Sequence, residues 1–215
     1  MTSLEPPEVS AAGDLKDYLE LLQSNCPGAL RVFIARTPGE FSDAVEIALE
    51  NAMQHMESGA RFNYNRDERA LTHELVGCLG GGGVHAQNEA YSNGHVDVTV
   101  AHPHRAAWKV LGECKIYDGP IYHLEGCGQL LLRYATGRLP RTFCLDFVQL
   151  DAISERMVGI RERMDQDLPL EQQGASSNHS IPWAFTTIHR HKCGDNVRIL
   201  HLGCNVYWND GGGSR

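Results

Sequence analysis

The chain has 215 residues and is 42% hydrophobic, enough to bury about 70% of its unfolded surface in one core without disulfides or a structural metal. Such a composition excludes a largely disordered chain, and no apolar run approaches the ~20 residues of a membrane span. The net charge of −8 argues against a nucleic-acid partner, but residues 1–60 hold ten acids against three bases while residues 101–165 carry nine Lys and Arg and are near neutral. The middle of the chain can therefore face phosphate, with modest and salt-sensitive affinity. Seven cysteines without a CxxC pair fit a reducing cytoplasm, and the first ten residues lack the basic start and apolar stretch of a signal peptide.

Residues 1–14, with Pro6 and Pro7, read as a flexible arm, followed by a short helix over 14–23. The run LRVFIA at 30–35 reads as a strand. Phe41, Val45, Ala48, Ala52 and Met56 recur at helical spacing over 38–59, and Leu71, Leu75 and Cys78 mark a second helix over 67–79 that stops at four glycines, 80–83. The period then changes to two. Residues 84–90 and 95–101 read as strands joined by a Ser92-Asn93-Gly94 turn, with a third strand at 107–115. A helix over 123–136, a strand at 142–149, a polar helix over 151–166 and a strand pair at 184–191 and 197–208 complete the order. Residues 211–215 read as a tail. The succession predicts an α/β protein with a mixed central sheet flanked by helices. Residues 1–60 form an acidic arm, strand and helix packing on a domain of residues 61–210.

Asp97 interrupts the apolar alternation of Val96, Val98 and Val100. Glu113 and Lys115, two apart on the next strand, share a face. Three ionisable groups on adjacent central strands are costly to bury unless they bind something. Two carboxylates, helped by a backbone carbonyl such as that of Cys114, suit Mg²⁺, and a neighbouring lysine can offset charge on an attacked phosphate.

This Asp-(x)15-Glu-x-Lys arrangement resembles the PD-(D/E)XK, or restriction-endonuclease-like, nuclease superfamily over residues 65–150. The resemblance matches Asp97 to the motif aspartate, Glu113 and Lys115 to the (D/E)xK pair, and Glu74 to an acid on the preceding helix. His95 and Val96 stand where the motif's name has proline. Many members also carry Q-x3-Y on the following helix. Here Gln129 fits, Arg133 takes the four-residue position, and Tyr134 falls at five, which an α-helical wheel turns roughly 140° away. The resemblance implies a restriction-endonuclease-like core and Mg²⁺-dependent hydrolysis of DNA, with Mn²⁺ as substitute. Asp97, Glu113, Lys115 and Gln129 would be catalytic, and Glu74, Asp97, Glu113 and the Cys114 carbonyl would hold metal. Arg133 and Tyr134 would meet nucleic acid. It further suggests a cytoplasmic bacterial defence effector gated by a protein partner or by oligomerisation. The rival reading is a catalytically silent subunit of the same fold that binds nucleic acid or a partner protein.

Other signals carry less. His189, His191, Cys193, His201 and Cys204 suggest zinc, but alternating residues reach one ion poorly, so a half-buried polar hairpin is expected. The glycines at 80–83 lack the Lys-Ser/Thr ending of a phosphate loop. His102 and His104 are expected to be exposed in a turn, and Arg156, Arg161 and Arg163 on a solvated helix face.

Overall fold

The computed structural model describes residues 11–25, 27–91 and 95–209. Two helices, α1 (Ala11–Asn25) and α2 (Pro27–Ile34), precede the long α3 (Pro38–Ser58). The expected strand at 30–35 is thus a helix. A short apolar run has no period of its own that separates strand from helix, and here Pro27 starts a helix whose Gly28 packs against Ala48 of α3. The α3 start is encoded locally, with Thr37 Oγ1 accepting from the Glu40 amide and Pro38 in the first turn. A turn of helix, α4 (Ala60–Asn63), leads to α5 (Glu68–Gly81), capped by Asp67 Oδ1 on the Ala70 amide at 2.7 Å.

The strands β1 (Ala86–Tyr91), β2 (His95–His102) and β3 (Arg105–Ile116) form the expected antiparallel meander. Its first turn, at 92–94, lies outside the described residues, as do residues 1–10 of the expected arm and the expected tail. Next come α6 (Pro120–Gln129), a π-helical turn (Leu130–Tyr134), β4 (Arg141–Val148), α7 (Ile153–Asp167), the two-residue β5 (Ser177–Asn178), β6 (Phe185–Arg190) and β7 (Asn196–Asn205). One mixed sheet results, in the order β1-β2-β3-β4-β7-β6-β5, with β3, β4 and β7 parallel.

Alternation divides the central strands between two helical layers. Cys114, Phe143, Leu145, Phe147, Leu200 and Leu202 face α3 and α5. Leu111, Cys144, Val197 and Ile199 face α6 and the π turn, and α7 covers Gly203, where a side chain would collide with Met157. α3 supplies Phe41, Val45, Leu49 and Met53 to the same core as the strands. His102 is buried rather than exposed, edge-on to Phe41 and Trp108. The bases of α7 are tied to their surroundings: Arg156 to Asp151, Arg161 to Ser176 and Asn178, Arg163 to Asp167. Among the described residues no helix is long and apolar enough to cross a membrane.

Candidate active site

The β2–β3 ladder runs as far as Val98 opposite Gly112. Beyond that pair the Cys114 amide donates to Asp97 Oδ2 at 2.9 Å, so the aspartate side chain continues the pairing where the backbones part. A strand residue directs its amide and carbonyl to the same neighbour, which puts the Cys114 carbonyl on the Asp97 side. The Cys114 thiol itself is buried in the α3–α5 core and pushed well above its ordinary pKa by burial and by Asp97. It is inert as a nucleophile.

Glu113 and Lys115 project to the other face, under α6. Both are buried, at 2% and 6% exposure, and Lys115 Nζ donates to Glu113 Oε1 at 2.8 Å. Their helical cover comes this close because residue 126 is glycine: a β-carbon there would sit 3.3 Å from Glu113 Cγ and 3.4 Å from Lys115 Cε. Burial, and then the charge of Asp97, push the Glu113 carboxyl up to about 7 against the pull of Lys115. Burial opposes the charge on Lys115 as well, but Glu113, Glu68 and Asp97 outweigh it and hold the amine above its usual range. Lys115 is therefore an ammonium and a donor, not a base. Glu113 Oε2 is buried without a hydrogen-bond partner, an arrangement that costs free energy unless a cation or donor meets it.

The acid that α5 brings to this cluster is Glu68, not Glu74. Glu68 Oε1 lies 3.6 Å from Lys115 Nζ, and Oε2 accepts from the Ile116 amide at 3.3 Å. A cleft of about 340 Å³ is lined by Glu68, Arg69, Thr72, Asn88 and Asp97. Glu74 pairs with Arg66 and lines a separate cavity with His55 and Gly77. The signal was in the helical phase: Glu68 sits at the centre of the buried stripe of Leu71, Thr72, Leu75 and Leu79, whereas Glu74 lies about 120° round the helix.

Gln129 is half-buried at the end of α6, and Lys115 bonds to Glu113 and Glu68 rather than to it. The wheel that turned Tyr134 away assumed an α-helix. The Ala135 amide instead donates to the Leu130 carbonyl at 2.8 Å, an i→i+5 bond. In so wide a turn a residue at five takes the place a residue at four has in an α turn, and the Tyr134 hydroxyl has its pKa raised by burial and by Glu113 and Asp97. Its ring is buried among Val96, Leu111 and Cys127 and is not free to stack on a base, while Arg133 is exposed.

The C-terminal His/Cys set divides three ways. His189 and His201 meet through Thr187, His191 Nε2 donates to the Ala135 carbonyl, and Cys204 faces α3. No protein-family model, no curated protein and no solved structure matches the chain.

Proposed function

We propose that the chain is a metal-dependent nuclease hydrolysing phosphodiester bonds of DNA, built on a restriction-endonuclease-like core. The observation that carries this reading is the buried, partnerless Glu113 Oε2, beside an ammonium and within the field of Asp97 and Glu68. Three carboxylates around one lysine leave an excess of negative charge that a divalent cation neutralises. Asp97, Glu113 and the Cys114 carbonyl would hold Mg²⁺ or Mn²⁺, with Glu68 in the place expected of Glu74. The bound ion supplies a Lewis acid for the scissile phosphate and a more acidic water. Lys115 is positioned by its two carboxylates to donate to the phosphate and to offset charge as water adds at phosphorus and the ester oxygen leaves.

Plasmid DNA with Mg²⁺ tests the proposal. Wild-type protein is expected to give nicked or linear product. Lys115→Ala should abolish cleavage yet leave Mg²⁺ binding nearly intact, whereas Asp97→Asn should lose both. Undiminished cleavage by Lys115→Ala would refute this assignment of the site.

A further inference from the structure

One strand further into the sheet, β4 places a second set of donor atoms. Cys144 pairs in register with Glu113, and Asp146 with Lys115, on the same face. Above them His123 and Cys127 stand one helical turn apart on α6. His123, Asp146, Cys127, Cys144 and His201 are all fully buried.

A chain of hydrogen bonds fixes the protons. His189 Nδ1 donates to the Leu170 carbonyl, and its Nε2 accepts from Thr187 Oγ1. Thr187 in turn accepts from His201 Nε2 at 2.7 Å. His201 Nδ1 is then a bare acceptor for His123 Nε2–H, also at 2.7 Å. That leaves His123 Nδ1 pointing at the Asp146 carboxylate and 3.8 Å from Cys144 Sγ. The outer histidines thus orient His123 by its far nitrogen, the support that a metal-ligating imidazole usually has. Asp146 Oδ1, buried and without a partner, is a donor left over.

We infer that His123 Nδ1, Cys127 Sγ and Cys144 Sγ, with the Asp146 carboxylate as fourth donor, form a buried site for Zn²⁺ or a similarly soft divalent ion. A ring nitrogen of His123 and the Cys127 and Cys144 sulfurs lie within 4.8 Å of one another, with Nδ1 itself 3.8 Å from Cys144 Sγ, and tetrahedral zinc sets such atoms about 3.5–3.8 Å apart. Binding displaces three protons, one from each thiol and one from His123 Nδ1, and the two thiolates neutralise the ion. No position is open to solvent, so the site is structural: it ties α6 to β4 and holds Gly126 against Glu113 and Lys115. The site is independent of the nuclease reading and does not use the Asp97 carboxylate.

The 215-residue protein purified in reductant without added metal is expected to carry about one zinc per chain by elemental analysis and native mass spectrometry. That zinc should persist in an Asp97→Asn/Glu113→Gln protein, which separates it from the hard-oxygen site, and be lost in Cys127→Ser. Because loss of a buried thiol can itself prevent folding, wild-type protein is also refolded with Co²⁺. Thiolate-to-cobalt charge-transfer absorption in the near ultraviolet is expected. Substoichiometric zinc after refolding with Zn²⁺, zinc retained by Cys127→Ser, or a cobalt spectrum without thiolate bands would each overturn the site.

Discussion

Glu113→Gln isolates the electrostatic strain of the candidate active site. The carboxyl is lifted from 4.5 to about 7, first by burial and then by Asp97. Between those values the folded state keeps a proton that the unfolded chain has released, so stability falls as pH rises through this window. At about 1.4 kcal/mol per unit of pH, the ionised side chain costs the fold about 3 kcal/mol above pH 7. Glutamine is permanently neutral and still accepts from Lys115. The variant should match wild type near pH 4 and exceed it by about 3 kcal/mol near pH 8.5, as read by urea unfolding followed through tryptophan fluorescence. Mg²⁺ should raise the wild-type midpoint at the higher pH and leave that of the variant unmoved, because ligand bound only to the folded state adds stability. A variant destabilised equally at both pH values would refute the reasoning, since Glu113 would then be an ordinary partner of Lys115.

Glu68→Gln should lower metal affinity or cleavage about 10- to 100-fold, while Glu74→Gln leaves both unchanged; a reversal of that order in a plasmid assay would restore Glu74 to the site. Gly112→Ala drives a methyl into the Phe143 ring and should cost about 1–3 kcal/mol of unfolding free energy. Adding Phe143→Leu should recover part of that loss, and strict additivity in the double-mutant cycle would show that the two positions do not touch.

The meander and its three chemical residues were legible in the sequence because strand alternation acts over single residues. The period of two puts Glu113 and Lys115 on one face whatever packs above them, and Asp97 stands out wherever valines alternate around it. The Pro38–Ser58 helix was equally legible from its apolar spacing. LRVFIA reads as a strand from its apolar content alone, but packing of Gly28 on Ala48 makes it helical. The helical phase of α5 sets Glu68 in its apolar stripe and Glu74 outside it, while docking of that stripe beside β3 brought Glu68 to Lys115. Tyr134 depended on one i→i+5 hydrogen bond, a choice no helical wheel contains. His123, Cys127, Cys144, Asp146 and His201 span 79 residues of sequence and converge because β3, β4 and β7 lie side by side in parallel. Such neighbours follow from strand order, which local periodicity does not encode.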